Sequence, residues 1–249
     1  MTWYYEEKHY ERSSYIKCVP MTCHRAKRSG NTYYISGRNG MNMKIEVKNL
    51  SKKVEGVYLV KNINLNFESG KIYGLVGQNG CGKTVLFKLL LGLMRKTEGE
   101  IFVDGKEQKG FMREVGFIIE RPNLIPEYSA YKNLKVLSSY TKSVSREKIT
   151  NALEAVGLSA TDKKKVKNYS LGMKQKVAIA MTIMDDPKIL ILDEPLNAID
   201  DISVKKIREI IMGYKQRDKI VLIASHYKDD IDYLCDEVYE MRKGEIVEI

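Results

Sequence analysis

The sequence predicts an α/β domain with a parallel core sheet, an antiparallel group of strands before that sheet and a helical insert. Three observations support this prediction: apolar and polar residues alternate early in the chain, two largely apolar segments lie further on, and helical patterns separate them. The chain has 249 residues, of which 43% are hydrophobic. It can therefore bury the core that such a domain needs.

The antiparallel strands are predicted from side chains that alternate between apolar and polar. Over residues 43–48 methionine, isoleucine and valine alternate with charged residues, and over 62–67 apolar residues alternate with asparagine. This period of two is typical of strands with one buried face. Two more strands are predicted at 100–105, where "EIFVDG" ends in an Asp-Gly turn, and at 114–119.

The core sheet is predicted from segments that a parallel arrangement would bury on both faces. The segment "KIYGLVG" (71–77) runs into a glycine-rich turn and then a helix over 83–93. "KILIL" (188–192) and "KIVLIA" (219–224) are almost wholly apolar, as is typical of parallel strands. Residues 127–185 are expected to be mostly helical. Within them a helix with Ile149, Leu153 and Val156 on one face stops at Gly157, and a later amphipathic helix carries Ile207, Ile210, Ile211 and Tyr214.

Residues 1–40 differ from the rest of the chain. They contain six of the sixteen tyrosines and the single tryptophan, and they show neither a helical nor an alternating period. We interpret them as an extension outside a domain that covers residues 43–247. The alternative, which we favour, is a mis-assigned start, with Met41 or Met43 as the true first residue.

Charge and composition limit the classes of function. The net charge is +10, but residues 1–40 hold seven basic against three acidic residues, and the remainder mixes both signs as a solvated surface does. The charge alone therefore does not indicate a nucleic-acid-binding protein, and a face near anionic lipid would use it equally well. The four cysteines and three histidines suit neither a disulfide framework nor a metal cluster.

The location of the protein is predicted from its apolar segments. The longest of these, residues 85–94, is too short to span a bilayer and contains Lys88. The first forty residues carry charges throughout and lack the hydrophobic segment of a signal peptide. We therefore expect a cytoplasmic protein.

The segment "GQNGCGKT" (77–84) matches G-x-x-x-x-G-K-[ST] between a strand and a helix. Glycines let the backbone curl so that successive N–H groups face phosphate oxygens, and the positive end of the helix points to the same place. Lys83 is expected to reach the β- and γ-phosphates of a nucleotide, and Thr84 to ligate Mg²⁺. The predicted nucleotide-binding residues here are Gly77, Gln78, Asn79, Gly80, Cys81, Gly82, Lys83, Thr84 and Val85.

The catalytic residues are predicted at the ends of the two apolar strands. In "ILILDEP" (189–195), Asp193 is placed to hold Mg²⁺ through its water shell. Glu194 is expected to point to another side, because successive strand side chains alternate, and to polarise the attacking water. The alternative is that both acids cap a helix. His226 follows the last strand at the same sheet edge, so we expect it to contact the γ-phosphate rather than simply to pack or lie exposed.

One family has all these elements in this order. Residues 43–247 resemble the ATP-binding subunit of ABC transporters, a P-loop NTPase fold with a parallel core sheet, an antiparallel β subdomain and a helical signature subdomain. "YSLGM" (169–173) falls at the signature motif, where Ser170 and Gly172 match, and "LNAID" (196–200) is similar to the D-loop, where Asp200 matches. Three residues of the signature segment, Tyr169, Leu171 and Met173, depart from the family pattern.

Two further positions depart from the family. Glu120 stands at the Q-loop glutamine, and its carboxylate can also ligate Mg²⁺ through oxygen. Glutamate at this position resembles bacterial subunits that export bacitracin or lantibiotics, or confer self-protection against them. The aromatic residue that stacks on adenine falls at Val54 by strict spacing, with Tyr58 four residues later. Tyr58 either replaces it or packs.

The resemblance implies an ATP hydrolase that is coupled to transport and uses ATP and Mg²⁺. Two such subunits, here a homodimer, would dock head to tail with each ATP between one chain's P-loop and the other's signature. The dimer would drive a separate integral membrane permease from the inner face of the cell membrane, with residues 120–131 in contact with it. Peptide antibiotics or other hydrophobic compounds are the implied cargo, and no nucleic-acid partner is expected.

Three other classes remain open at this point. A soluble ABC-type ATPase of translation or DNA repair would have two cassettes or a long coiled coil, whereas this chain has one set of motifs. A nucleotide or small-molecule kinase would have no use for residues 169–173. A nucleic-acid-binding module is supported only by the net charge.

Overall fold

A computed structural model describes residues 43–120, 122–140 and 144–247, so the interpretation of residues 1–40 lies outside the described residues. The strands in this part of the chain are β1 (Lys44–Val54), β2 (Val57–Glu68), β3 (Lys71–Val76), β4 (Glu98–Val103), β5 (Lys106–Glu107), β6 (Val115–Ile118), β7 (Ile189–Asp193), β8 (Ile220–Ala224), β9 (Glu237–Arg242) and β10 (Glu245–Val247). The α-helices are α1 (Lys83–Leu91), α2 (Ala130–Ser138), α3 (Arg146–Ala155), α4 (Leu171–Ile183), α5 (Asp201–Lys215) and α6 (Lys228–Leu234).

The central sheet has six strands in the order β10-β9-β3-β8-β7-β6. From β9 to β6 all neighbours are parallel, and β10 pairs with β9 in antiparallel fashion. The predicted parallel core is therefore confirmed, with the two apolar strands β7 and β8 side by side. The sequence does not reveal β9 and β10, because charged residues interrupt both.

A second sheet has four strands in the order β2-β1-β4-β5 and is antiparallel throughout. Its alternating residues are buried on one face as predicted, including Ile45, Val47, Ile63, Leu65 and Phe67. β4 and β5 follow α1 in the chain, so part of the antiparallel group comes after the first strand of the core sheet rather than before it. The reason is that β1 is central, and it pairs with β2 on one edge and with the later β4 on the other.

Several helices begin or end at residues with identifiable capping roles. α1 ends before Gly92, whose φ of 73° closes the helix with a left-handed residue. The expected helical region contains α2, α3 and α4, and each begins after a serine whose side chain accepts a backbone N–H: Ser129, Ser145 and Ser170. Among the residues that the structure describes, none of the helices combines the length and apolarity needed to cross a bilayer.

Buried side chains form one cluster on each face of the central sheet. Ile72, Val221 and Ile223 face the cluster that includes the helical region, whereas Tyr73 and Leu222 face the cluster shared with α1 and the antiparallel sheet. With both faces covered, the polar ends of the parallel strands are exposed at one edge. In open α/β sheets ligands bind at this carboxyl edge, and the loops after β3, β6, β7 and β8 all emerge there.

Candidate active site

The loop after β3 depends on three glycines with positive φ: Gly77 (148°), Gly80 (80°) and Gly82 (114°). A Cβ atom at Gly77 would lie 2.3 Å from the carbonyl oxygen of Met241, and one at Gly82 would lie 2.7 Å from that of Leu59. Two of the glycines are therefore needed to fit the loop between β9 and β2. A Cβ atom at Gly80 would meet no other atom within 4 Å, so conformation alone requires glycine there.

Lys83 is buried inside this loop, with 7% of its surface exposed. Its Nζ atom donates to the carbonyl oxygens of Gly77 at 2.7 Å and Gln78 at 3.2 Å. A lysine ammonium has three donors, and the third has only a weak sulfur acceptor, Sγ of Cys81 at 4.0 Å, so a phosphate oxygen would be the better partner for it. Lys83 thus organises the loop as well as offering it a positive charge.

Cys81 lies at the tip of the same loop with its thiol turned towards the core. The residue is 8% exposed, and its Sγ atom is 4.0 Å from Nζ of Lys83. Its carbonyl oxygen accepts a 2.9 Å hydrogen bond from the N–H of Gly244, in the turn between β9 and β10. The sequence does not predict this hairpin, which supports the glycine loop through that hydrogen bond.

The predicted magnesium ligands Thr84 and Asp193 meet at the start of α1. The Thr84 hydroxyl donates to Oδ2 of Asp193 at 2.6 Å. Burial raises the pKa of Asp193 above its ordinary value, and the hydrogen bond from Thr84 opposes this rise. Because the Thr84 hydroxyl is the donor in this hydrogen bond, the lone pairs of its oxygen stay available to a cation.

These two oxygen donors fit Mg²⁺ in the form in which proteins usually hold it. Mg²⁺ is commonly bound by one or two carboxylates together with substrate phosphates and waters. Within the described residues, no three or more His, Cys, Asp or Glu side chains are grouped so as to hold a metal ion. A cation at Thr84 and Asp193 would therefore need phosphate oxygens to complete its coordination.

Glu194 and His226 form a direct pair across β7 and β8. Nδ1 of His226 lies 2.8 Å from Oε2 of Glu194, and the two side chains are 46% and 25% exposed, in the order His226 and Glu194. Glu194 has a φ of 50°, so its direction comes from a left-handed turn after the strand. We expected Glu194 to point away from Asp193 because side chains alternate along a strand. That reason is wrong, because Glu194 lies after the end of β7.

Glu120 lies just beyond β6 at the same edge and is paired with Lys88 of α1. Oε1 of Glu120 accepts a 2.6 Å hydrogen bond from Nζ of Lys88. The charge of Glu120 also acts on Asp193, because it contributes to raising the pKa of that residue. Sequence reasoning places Glu120 here but does not reveal its partner.

A cleft of about 440 Å³ opens over these groups. It is lined by three sets of residues: Asn79, Gly80, Gly82, Lys83, Thr84 and Val85 of the glycine loop and α1; Glu120 and Pro122 after β6; and Asp193, Glu194, Asn197, Leu171 and Gln175. The structure thus brings most of the predicted glycine-loop residues, the three predicted metal ligands and Glu194 to one cavity, whereas Gly77, Gln78, Cys81, Ser170, Gly172, Asp200 and Tyr58 are not among the residues that line it. His226 contacts this set through Glu194.

The "YSLGM" segment forms the start of α4. The Ser170 side chain accepts from the N–H of Met173 at 3.2 Å, and the next residue, Leu171, is 58% exposed. A Cβ atom at Gly172 would lie 2.3 Å from the carbonyl oxygen of Ala198. Gly172 is therefore required by close contact with the "LNAID" loop of its own chain.

Two polar side chains that sequence reasoning missed connect α4 to that loop. Gln175 donates to the carbonyl oxygen of Pro195 at 3.1 Å, and Lys176 donates to Oδ2 of Asp200 at 2.8 Å. The Lys176 ammonium and the N–H of Ser203 hold the pKa of Asp200 well below its usual range. Asp200 also caps α5 through that N–H. In the sequence, Gln175 and Lys176 are marked only by their proximity to "YSLGM", and proximity does not distinguish them from their neighbours.

Tyr58, the candidate for stacking on adenine, lies near the start of β2. It is half-buried, and Nζ of Lys53 lies 4.9 Å from the centre of its ring. Its neighbour Leu59 contacts the glycine loop at Gly82. Val54 and Leu59 are 42% and 36% exposed, so the edge of this sheet presents apolar surface beside the loop.

A comparison with known protein families identifies the chain. The family model described as ABC transporter matches residues 60–197, more than half of the chain. The chain belongs to the ABC transporter family. The predicted family and the assignment as an ABC-type ATP hydrolase are confirmed.

Several curated ABC proteins are similar to this chain over most of its length. YybJ of Bacillus subtilis (strain 168), an uncharacterized ABC transporter ATP-binding protein, is 44% identical over 81% of this chain and 94% of YybJ. The lantibiotic transport ATP-binding protein SrtF of Streptococcus pyogenes is 39% identical over 82% of this chain and 89% of SrtF. The bacitracin transport ATP-binding protein BcrA of Enterococcus faecalis is 38% identical over 82% of this chain and 68% of BcrA.

The fold of this ABC subunit is also that of solved ABC cassettes. The dimeric structure of MJ0796, a bacterial ABC transporter cassette, matches with a TM-score of 0.74 at 24% identity and covers 82% of this chain and 97% of MJ0796. At this identity the likeness concerns the fold, and it confirms the predicted α/β class. The role of each site residue remains a prediction.

Proposed function

We propose that this ABC subunit binds MgATP in the cleft, hydrolyses it with Glu194 and His226, and works as a head-to-tail homodimer on a separate membrane permease. One observation carries the proposal: the buried Lys83, the hydroxyl–carboxylate pair of Thr84 and Asp193, and the Glu194–His226 pair converge at one sheet edge. Residues 43–247 form the proposed ATP-binding domain, so a chain of residues 41–249 should fold and hydrolyse ATP.

The glycine loop and α1 provide the phosphate-binding groups. The loop N–H groups and the remaining donor of Lys83 bind the phosphate oxygens, and the positive end of α1 adds to their field. Thr84 and Asp193, with Glu120 as a further oxygen donor, hold Mg²⁺, which neutralises phosphate charge when it is bound. Tyr58 and the apolar edge near Leu59 provide a surface for adenine.

Hydrolysis requires a base beside the terminal phosphate. His226 donates through Nδ1 to one carboxylate oxygen of Glu194 and thereby leaves the other oxygen free to accept a proton from water. A positioned base contributes on the order of 10²–10⁴-fold to a rate. The hydrogen bond to His226 fixes the direction in which that base points.

The start of α4 completes the site of a second subunit. Ser170 caps α4 through its oxygen and keeps its own hydroxyl proton for a phosphate, and the exposed Leu171 leaves this helix end accessible. Asp200 is held next to it by Lys176. ATP that binds two such surfaces at once favours the dimer over the monomer, as a switch requires. MJ0796, which has the same fold, has a dimeric structure, and this is consistent with a dimer; the head-to-tail arrangement is our proposal.

The membrane partner is proposed from the segment after Glu120. Ile125 and Tyr128 are 38% and 37% exposed. The Asn133 side chain accepts from the N–H of Ile125 at 2.7 Å and donates to its carbonyl oxygen at 3.3 Å, so the segment is held firmly. Leu124 packs against the core instead. The names of SrtF and BcrA, which refer to lantibiotic and bacitracin transport, support peptide antibiotics as the cargo. Export, driven from the cytoplasmic face of the membrane, is part of our proposal.

The test measures the ATPase activity of the purified chain under three conditions. The chain is assayed alone, after addition of the detergent-solubilised membrane protein encoded beside its gene, and after addition of total RNA. We expect Mg²⁺-dependent ATPase activity that rises with the membrane protein and not with RNA. Replacement of both Ile125 and Tyr128 by serine should abolish the stimulation and spare the basal rate. Stimulation by RNA alone would favour a soluble ATPase of translation, and no ATPase activity under any condition would overturn the proposal.

A further inference from the structure

The ion pair between Lys88 and Glu120 lies beside the proposed magnesium site. Lys88 is four residues after Thr84 in α1, and residues at this spacing lie on the same face of a helix. The Lys88 and Glu120 side chains are 28% and 62% exposed, and Nζ of Lys88 is 2.6 Å from Oε1 of Glu120. The ammonium therefore holds the carboxylate of a residue that lines the same cleft as Thr84.

The position of Glu120 is enforced by its surroundings. Its φ is 59°, a left-handed conformation that a non-glycine residue adopts only when neighbouring structure imposes it. Asp193 and Glu194 bring two further carboxylates to this edge. Lys83 is engaged by the carbonyl oxygens of its own loop, so the cation placed directly on Glu120 is Lys88.

The Lys88 ammonium neutralises the charge of the Glu120 carboxylate and occupies one of its two oxygens, so the ion pair weakens the attraction of this carboxylate for a divalent cation. We propose that Lys88 is a positioning residue that holds Glu120 through their ion pair and competes with Mg²⁺ for its carboxylate. Binding of MgATP then weakens the pair. This inference rests on the proposed role of Glu120 as a Mg²⁺ ligand, and it adds a reason for the presence of lysine at position 88.

The test is a double-mutant cycle on the full chain. The measured quantity is the Mg²⁺ concentration that gives half-maximal binding of a fluorescent, non-hydrolysable ATP analogue, so no turnover is involved. Lys88→Met should lower this concentration about two- to fivefold, because it removes the ammonium that competes for the carboxylate. In the Glu120→Ala background, which has no side-chain oxygen at this position, the same change should alter it less than about 1.5-fold.

The cycle separates competition from a simple charge effect. Loss of the lysine charge alone should lower the half-maximal Mg²⁺ concentration by the same factor with and without the Glu120 carboxylate. Competition should lower it only when that carboxylate is present. Lys88→Arg, which can keep the pair, should behave like the wild type. A matched control is the Lys188–Glu114 pair, 3.0 Å long and 53% and 58% exposed, where Lys188→Met should change nothing.

The outcomes are distinguishable. An equal factor for Lys88→Met in both backgrounds, with Glu120→Ala itself raising the Mg²⁺ requirement, overturns competition and leaves Glu120 as a ligand. A Mg²⁺ requirement unaffected by Glu120→Ala overturns the proposed ligand role and this inference with it. Melting temperatures of all the variants within a few degrees of the wild type exclude a folding defect as the cause.

Discussion

Nδ1 of His226 lies 2.8 Å from Oε2 of Glu194, and the two residues follow adjacent parallel strands. The N–H of Glu194 donates to the carbonyl oxygen of Ala224, the last residue of β8, at 2.9 Å. Backbone and side chain therefore tie the ends of β7 and β8 together at one point. A carboxylate fixed in this way loses little entropy when it accepts a proton from water, which favours its use as a base.

Replacement of Glu194 by glutamine should slow hydrolysis by about 10²–10⁴-fold while ATP binding is retained, because the amide cannot accept the proton. The variant should accumulate as an ATP-bound dimer in size-exclusion chromatography. Since His226 acts on the same carboxylate, the losses in hydrolysis rate caused by replacing the two residues should not add. The double variant with Glu194→Gln and His226→Ala should hydrolyse ATP no more than a few-fold more slowly than Glu194→Gln alone. A monomer at saturating ATP, or near-normal turnover, contradicts this role.

Lys83→Ala should abolish nucleotide binding at millimolar ATP, measured by calorimetry. The structure adds a second effect: Lys83 is not the solvated charge that its loop position suggests, because it holds two carbonyl oxygens from a buried position. Their loss should lower the free energy of unfolding by about 1–3 kcal/mol, seen in urea denaturation. The exposed Lys163 provides the control, since Lys163→Ala should change neither property. Wild-type ATP affinity in Lys83→Ala would refute the nucleotide-binding assignment.

Gly172→Ala should disrupt the site through the D-loop. The added methyl group would collide with the carbonyl oxygen of Ala198, so either that loop or α4 must shift, at a cost of about 1–3 kcal/mol. ATP should still bind, whereas hydrolysis should fall with dimer formation. Gly213→Ala is the matched control: it lies within α5 in open space and should raise stability by about 0.5–1 kcal/mol. Equal behaviour of both variants would show that the contact is unimportant.

Both described cysteines should react slowly with maleimide. A thiol at the start of a helix, beside phosphate-facing N–H groups, is expected to be reactive, but Cys81 is 8% exposed and faces the core. Burial raises the pKa of Cys235 to about 12, so little of its reactive thiolate is present near neutral pH. With Cys18 and Cys23 replaced by serine, mass spectrometry should show little labelling before unfolding in urea and two labels afterwards. Fast labelling that ATP blocks would instead indicate an exposed Cys81.

Local motifs made much of this site predictable, and long-range pairings did not. The glycine loop, Asp193 and His226 follow from short segments whose strand and helix context is readable, since parallel strands end at one edge. The backbone of Cys81 is held by the β9–β10 hairpin, which begins only at Glu237. The charged residues of this hairpin hide it from pattern analysis.

Side-chain partners are the second class of feature that the sequence could not provide. Lys88 was visible only as a charge that interrupts an apolar stretch, yet it pairs with Glu120, 32 residues away. The direction of Glu194 depends on a left-handed φ that no residue type in "LDEP" requires. Such features are fixed by tertiary packing, which overrides local preference.

The geometry also determines how the head-to-tail dimer is best tested. Cys81 is a poor cross-linking probe because it is buried, whereas Asn79 and Ser170 are both exposed. Asn79 and Leu171 line the same cleft within one chain, so a flexible linker could join two thiols of one molecule. The two thiols must therefore be placed on different chains.

One population should carry Asn79→Cys and the other Ser170→Cys, both with Glu194→Gln to retain ATP and with Cys18 and Cys23 replaced by serine. When they are mixed with MgATP and a short bis-maleimide, we expect a product of twice the chain mass on a denaturing gel, because each P-loop faces the other chain's signature. Either population alone should give much less, since identical positions lie apart in a head-to-tail pair. A mixture that cross-links no better than its components, with or without ATP, would mean that the signature does not serve a second chain's nucleotide.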